Sequence, residues 1–347
     1  MRLEDSVGIV AIGRNEGERL KKCLDSVVGI NDQIVYCDSG SIDGSVDRAR
    51  AMGVETVELD AHIPFTAARA RNAGYERLIQ RDPQIQFVQF IDGDCEILGD
   101  WLPFAATVLK GRPDVAAVSG WLRERSPCAS IYNRLAEMEW NFRGPGDVDS
   151  VGGIFMIRRV AFEQVGGFDA TIVAGEEPEL CQRLRQHGWR LLRLDRNMAS
   201  HDLAMMRFGQ WWKRMVRIGY GSSDVAQRFG VARFRRSILR ARFWTAWLVA
   251  VLMVGLLTAL ISPDAVGALL VLTLFSIWPL QFCRIAIRSW QKGNSLMLAA
   301  GYALFLMISF WPQMLGQMLY CLDRIRKGSF RLFDYKAFKN SATDRET

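Results

Sequence analysis

The sequence asks for two solvents, and no other feature restricts its possible fold as much. From about residue 243 to 321 it is dominated by Leu, Ala, Val, Met, Phe and Trp, whereas residues 1 to 202 read as mixed soluble protein. Two runs within the apolar part, about 243 to 261 and 265 to 283, each approach the ~20 residues that a bilayer requires. A short Ser262-Pro263-Asp264 turn joins them, so they read as a membrane hairpin. A third apolar stretch, about 295 to 321, is interrupted at Trp311-Pro312-Gln313 and followed by Arg324, Arg326, Lys327 and Arg331. Two readings stay open for it: a full third span, or a broken and partly interfacial segment that leaves the basic tail in the cytosol, which the charge rule favours.

The net charge of +7 has a local origin. Between Leu203 and Arg242 ten Lys or Arg residues stand against one acid, Asp224. A basic patch beside apolar spans serves an anionic membrane surface, so anionic lipids are expected partners and nucleic acid is not. Within it, residues 205 to 220 put Phe208, Trp211, Trp212, Met215 and Ile218 at helical spacing, with Arg207, Gln210, Arg214 and Arg217 on the other side. That pattern predicts an interfacial helix, with Trp211, Trp212, Lys213 and Arg214 at the membrane surface. Arg228, Arg233, Arg235, Arg236, Arg240 and Arg242 then hold this edge in the cytoplasm. The N-terminus carries acids at once and no long apolar run, so no signal peptide is expected and the first domain is expected in the cytosol. The seven Cys are scattered without a CxxC pair and predict no disulfide framework.

The expected division is therefore a catalytic domain over 1–202, a basic amphipathic segment over 203–242, membrane helices over 243–322 and a basic cytosolic tail over 323–347. The localisation expected is a cytoplasmic (inner) membrane, crossed more than once.

In the first hundred residues short β-rich runs alternate with helical patterns. VGIVAIG, QIVYC, VETVEL and FVQFID are strands; helices fall near 17 to 28, 44 to 52 and 66 to 81. This order predicts βαβ units and a mostly parallel sheet. Each polar motif follows a strand's C-terminal end, where open α/β sheets bind ligands. From 114 to 200 the pattern loosens into VAAVSG, a helix near 129 to 142, a Gly-rich GPGDVDSVGG, IFMIRR and a helix near 176 to 187.

The strongest local motif is IDGDCE. In extended chain, Asp92 and Asp94 would point to one side, with Gly93 leaving room for a ligand. Two such carboxylates could share Mg2+ or Mn2+ and meet a diphosphate. The first strand leads into GRNEGERL, the second ends in CDSGSIDGS, where Asp38 and Asp43 sit on a Ser/Gly-rich turn, and ARARNAG sets Arg69, Arg71 and Asn72 on a helix. Arginines there suit phosphate or base contacts.

The order RNEGERLKKCLDSV, DSGSIDGS, ARARNAG, IDGDCE and GGFDATIVAGEEPELCQRLRQHGW resembles the family 2 glycosyltransferases of the GT-A fold, over roughly residues 6 to 202. The resemblance implies an α/β, Rossmann-like domain that binds a nucleotide-diphosphate sugar and a divalent cation. It puts Asn15 and Glu16 at the family's N-E near the nucleotide, Asp38 at its base- or ribose-binding Asp, Asp43 at the next acidic position, and Arg71 and Asn72 at its R-N element. Asp92 and Asp94 match the metal and diphosphate DxD. His201 resembles a histidine metal ligand of some GT-A enzymes. GEEPELCQRLRQHGW matches the region that supplies the catalytic base: Glu177 stands where the family has Asp, with Glu176 before it, and either carboxylate could take the acceptor's proton. Gln210-Trp211-Trp212-Lys213-Arg214 resembles the QxxRW of processive synthases, but Lys and Arg stand where Arg and Trp would be, which with few spans implies single addition. The implied activity is inverting sugar transfer to a lipid-linked or membrane-proximal acceptor, in exopolysaccharide or envelope-glycan assembly. Nucleotidyl transfer and a non-catalytic membrane scaffold are the rival readings.

Overall fold

A computed structural model of the chain describes residues 6–142, 144–230, 232–261 and 265–326. The Ser262-Pro263-Asp264 turn and the tail from 327 on, with Lys327 and Arg331, lie outside the described residues. The chain divides into two compact units, Met1–Met206 and Arg207–Thr347.

The first unit runs β1 (Val7–Gly13), α1 (Glu18–Asp25), β2 (Ile34–Asp38), α2 (Ser45–Ala51), β3 (Glu55–Glu58), α3 (Ala67–Arg81), β4 (Phe87–Asp92), β5 (Cys95–Ile97), α4 (Trp101–Gly111), β6 (Val115–Glu124), α5 (Ile131–Trp140), β7 (Gly146–Asp147), β8 (Phe155–Arg158), α6 (Arg159–Gln164), α7 (Glu176–Gln186) and β9 (Arg190–His201). One sheet orders these strands β3-β2-β1-β4-β8-β6-β9-β5, with β7 on β9. Its first four strands are parallel, as the βαβ pattern predicts. The other half is mixed: β8 runs antiparallel to β4 and β6, β9 parallel to β6, and β5 antiparallel to β9. The expectation of a mostly parallel sheet therefore holds for one half only.

Strands β1, β2 and β4 are apolar on both faces because helices cover both sides, giving two cores, one around Leu20, Leu24 and Trp101 and one around Leu78, Phe90 and Phe155. A side chain at Gly74 on α3 would reach 2.5 Å from Val10 Cγ1, so glycine lets that helix settle directly on β1. The chain leaves β1 towards β2 and β3, then returns to β4 on the other side of β1. This reversal opens a crevice at the C-terminal ends of β1 and β4.

The second unit holds α8 (Phe208–Phe229), α9 (Ala232–Ile261), α10 (Ala265–Trp290), α11 (Leu296–Ile308) and α12 (Phe310–Arg326). Three helical stretches, Phe234–Leu260, Ala265–Trp290 and Leu296–Arg326, are long and apolar enough to cross a membrane. Leu252, Leu256, Leu260, Val266, Leu269 and Leu272 stand exposed on α9 and α10, a surface suited to lipid and not to water. The expected hairpin helices are longer than read: α9 takes in Arg235, Arg236, Arg240 and Arg242 ahead of the apolar run, and α10 continues to Trp290. The third stretch is one 31-residue helical path divided at Ser309 into α11 and α12. Pro312 sits in the first turn of α12, where its missing N–H leaves the Ile308 carbonyl without its helical donor.

The α8 face expected at the interface is partly internal. Trp211 is 2% exposed and packs edge-on against Phe305 of α11, with ring centroids 5.1 Å apart. Met215 and Gly219 continue that buried row, while Trp212, Lys213 and Arg214 are half-buried and Phe208 and Ile218 are exposed. The correction for Trp211 has a simple cause: α8 has a helical partner. A side chain at Gly219 would come 2.1 Å from the Gln313 carbonyl, and one at Gly316 would come 2.1 Å from the Val216 carbonyl. Two glycines facing the opposite backbones let α8 and α12 cross at close range.

Candidate active site

All the acidic motifs of the first unit gather at the C-terminal edge of the parallel strands. Gly13 of β1 pairs with Asp38 at the end of β2, and Ile12 pairs with Asp92 at the end of β4. Asp38 and Asp92 are thus separated by one strand, about 10 Å at the usual spacing.

On the β2 side the polar groups hold one another. The Asp38 carboxylate is 1% exposed and accepts from the Tyr36 hydroxyl (2.7 Å), the Ser41 hydroxyl (2.5 Å) and the Ser41 N–H (2.7 Å). Asn15 adopts φ 53°, a left-handed conformation that asparagine tolerates, and its Oδ1 accepts from the Ile42 N–H at 2.8 Å. Its own N–H donates to Ser41 Oγ at 2.8 Å, so Asn15 staples the loop after β1 to the loop after β2. Asp43 is exposed and accepts from Ser45 N–H and Oγ at the start of α2. Glu16 is 5% exposed, 2.5 Å from Arg19, and a side chain at Gly93 would lie 3.3 Å from its Cγ. Glycine at 93 suits the close packing beneath the Asp92–Asp94 turn, where a side chain would crowd Ile12, Glu16 and Leu20.

The two aspartates of that turn part company. β4 ends at Asp92, and Gly93 and Asp94 form a turn before β5, so the chain is not extended there and the carboxylates go to different partners. This corrects the expectation that both face one cation. Asp92 Oδ1 accepts from Arg71 Nη2 at 2.9 Å. The same guanidinium donates from Nη1 to Glu176 at 3.0 Å and from Nη2 to the Gly153 carbonyl at 3.3 Å. Arg71 is 2% exposed, which does not fit the expectation that it is open to phosphate or base. Burial disfavours its charge, but Asp92 and Glu176 outweigh this and leave its proton held more tightly than usual.

Asp94 is 1% exposed and turns to His201 at the end of β9, with Oδ2 3.2 Å from Nε2. Antiparallel pairing of β5 with β9 sets Cys95 opposite His201, which brings the histidine to the turn. The His201 ring lies 4.8 Å from that of Trp140, and its Nδ1 is buried without a partner among the described residues. Asp94, Cys95 and His201 are grouped closely enough to hold a metal ion, and Asp92 is not among them. Two ligands at right angles, each about 2.1 Å from one ion, are about 3 Å apart, which matches the Asp94–His201 separation. Cys95 is a poor match for a hard cation, since a soft sulfur ligand suits Mn2+ or Mg2+ less well than carboxylate oxygen or imidazole nitrogen. The residues present therefore fit Mn2+ or Mg2+ through Asp94 and His201.

Glu176 and Glu177 open α7 and meet different partners. Glu177 is 5% exposed and accepts from the Ser150 hydroxyl (2.9 Å), the Val151 N–H (2.7 Å) and the Cys181 thiol (2.9 Å). It fastens the segment before β8 to α7. Glu176, with its side chain 15% exposed, joins Arg71 and Asp92. Asn72, beside Arg71 on α3, donates to the Phe168 carbonyl (2.7 Å) and accepts from the Phe168 N–H (3.0 Å), so its amide holds the GGFD turn. Sequence spacing missed Tyr36, Ser41, Ser150, Gly153 and Trp140 as partners of the site; none carries a local signal.

A crevice at a topological switch point, lined by carboxylates from three strand ends and a helix start, defines the class: a GT-A glycosyltransferase domain joined to apolar helices. The sequence matches Glycosyl transferase family 2 over residues 6–166 and Glycosyl transferase family group 2 over residues 109–313. The second match covers more than half of the chain, and the chain belongs to the family 2 glycosyltransferases. Among solved structures it is similar in fold to the mannosyltransferase PcManGT from Pyrobaculum calidifontis in complex with GDP-Man and Mn2+, at 17% identity over 93% of this chain and 88% of that one, with a TM-score of 0.51. Glucosyl-3-phosphoglycerate synthase from Mycobacterium tuberculosis in complex with phosphoglyceric acid matches at 17% identity over 66% of this chain and 83% of that one, TM-score 0.46. S. aureus TarS matches at 13% identity over 62% of this chain, TM-score 0.44, and the chain spans 39% of TarS. No curated protein matches the chain.

Proposed function

We propose that this glycosyltransferase moves a sugar, with inversion, from a nucleoside-diphosphate donor to a hydroxyl of a lipid-linked or membrane-proximal acceptor. The observation that carries this reading is the cluster at the β4 end, where Asp92, Arg71 and Glu176 are joined beside the Asp94–His201 pair. Donor recognition falls to the crevice between Asn15, Glu16, Asp38 and Asp92. A divalent cation held by Asp94 and His201 would offset negative charge on the departing nucleoside diphosphate. Glu176 takes the proton from the acceptor hydroxyl as its oxygen attacks the anomeric carbon. Its accessibility supports this role, and the three donors already directed at the more deeply buried Glu177 argue against the neighbour. Asp38, Asn15, Asp43 and Asn72 shape the loops that bound the crevice.

Three apolar helices in the same chain support a substrate met at a membrane surface, as in exopolysaccharide or envelope-glycan assembly. Arg235, Arg236, Arg240 and Arg242 at the start of α9 support a cytosolic catalytic unit on a cytoplasmic membrane, with anionic lipids at its edge. The GDP-Man and Mn2+ bound to PcManGT support a sugar-nucleotide donor and a divalent ion here.

The test is to incubate the purified full chain with a panel of UDP- and GDP-sugars and Mn2+ or Mg2+. Release of nucleoside diphosphate from at least one donor is expected. Silence with every donor would sink the reading, and pyrophosphate release from a nucleoside triphosphate would assign the fold to nucleotidyl transfer instead.

A further inference from the structure

Arg71 carries more than the reaction above requires of it. Its guanidinium touches Asp92 from β4, Glu176 from α7 and the carbonyl of Gly153 ahead of β8, so one side chain bonds to all three segments. The group is buried on its remaining sides, with its Nε left without a hydrogen-bond partner among the described residues. Its carbon lies 5.5 Å from the Phe168 ring centroid, and Asn72, the next residue on α3, fixes the Phe168 backbone with two hydrogen bonds. Phe168 is held in turn by Phe90, Phe155 and Phe162, with centroids 5.4 to 6.3 Å away. A side chain at Gly153 would sit 3.3 Å from Asp92 Oδ2 and 3.4 Å from Arg71 Nη2, so glycine there makes room for the pair. A guanidinium 2% exposed within such a box does not reach a bound diphosphate.

We propose that Arg71 is a positioning residue, an internal strut that fixes Glu176 against Asp92 and acts on transfer through Glu176 without contacting the donor. The inference rests on the reading of Glu176 as base. A planar fork with donors on two sides can serve two carboxylates at once, whereas a lysine is a point charge that serves one well. The strut ties the place where the acceptor hydroxyl loses its proton to the strand end where the donor is held, and misplacement of such groups by about 1 Å can lower a rate by about 10²-fold. The tight hold on the guanidinium's proton agrees with two ionised partners.

The experiment is a double-mutant cycle on the full chain, with Arg71→Met, Glu176→Gln and both together, read by single-turnover transfer and by titration with Mn2+ and the matching nucleoside diphosphate. Residues that act through one another are not additive. Arg71→Met alone should slow transfer about 10²-fold, Arg71→Lys should fall between it and the wild type, and the double variant should be no slower than Glu176→Gln. Nucleoside diphosphate affinity should stay within about threefold of wild type throughout. A double variant whose loss is the product of the single losses, or a diphosphate affinity that falls in step with the rate, would overturn the strut. If Arg71→Met does not fold, Arg71→Lys carries the same cycle. A Glu176→Gln enzyme as fast as wild type would overturn the base reading and the strut together; a slow one with multiplicative Arg71 losses would overturn the strut alone.

Discussion

At the crossing of α8 and α12 and in the strand-end crevice the chain buries acids beside different partners. At the crossing, each helix gives one tyrosine and one aspartate. The Tyr220 hydroxyl donates to Asp323 at 3.0 Å, Tyr320 lies 3.3 Å from Asp224 and 3.0 Å from Gln227, and the two rings meet edge-on at 5.4 Å. Arg228 adds a contact to Asp224 at 3.0 Å. The pattern is reciprocal and closed, as a structural contact should be. In the crevice, Asp92 and Glu176 share the Arg71 guanidinium, and Asp94 faces a histidine whose second nitrogen is buried without an acceptor or donor among the described residues. Two carboxylates on one guanidinium beside a buried ring nitrogen without a partner make a place for a cation and its ligand. The contrast separates acids that hold the protein together from acids that await a substrate.

Perturbing each region should therefore give different readouts. The largest effect is expected at Asp94: Asp94→Ala should lower transfer on the order of 10³-fold while leaving the thermal unfolding of the chain almost unmoved. A large fall in melting temperature would erase the distinction. Next, His201→Ala should weaken Mn2+ binding by about 10- to 100-fold in isothermal titration, and an unaltered affinity would remove His201 from the ligand set. In the second unit, Gly316→Leu should destabilise the crossing by about 1–3 kcal/mol, seen as a lower unfolding midpoint in detergent. The smallest effect is expected for Tyr320→Phe, about 1 kcal/mol of stability with the catalytic rate per folded molecule unchanged; a strong loss of rate there would make the crossing part of the chemistry.

Much of the parallel half of the sheet was legible because VGIVAIG, QIVYC and FVQFID are short apolar runs bounded by turn residues, with amphipathic helices between them. β9 was not. Its pairing with β6 shifts register between Ser119 and Trp121 and again before Leu122, and such bulges spoil the alternation that marks a strand. The same strand delivers His201, so the histidine could be reached only through the family resemblance. α4 was also missed, as Pro103 in its first turn reads as a breaker although a helix start accepts it. Partnerships were the least legible feature. Arg71 and Glu176 are 105 residues apart, and Glu177 meets Ser150 across 27, separations that local spacing does not encode. The reading of Asp92 and Asp94 as a shared pair failed on one assumption, an extended chain at a glycine that forms a turn.

The central claim is that the crevice acid of α7 does chemistry while its neighbour holds the fold. Single-turnover transfer by Glu176→Gln and Glu177→Gln enzymes, each normalised to folded protein, tests it most directly. Glu176→Gln is predicted to lose about 10²–10⁴-fold with its unfolding midpoint preserved, and Glu177→Gln to lose midpoint while its folded fraction keeps most of its rate. The reverse pattern, with the rate falling at Glu177 and surviving at Glu176, would contradict it.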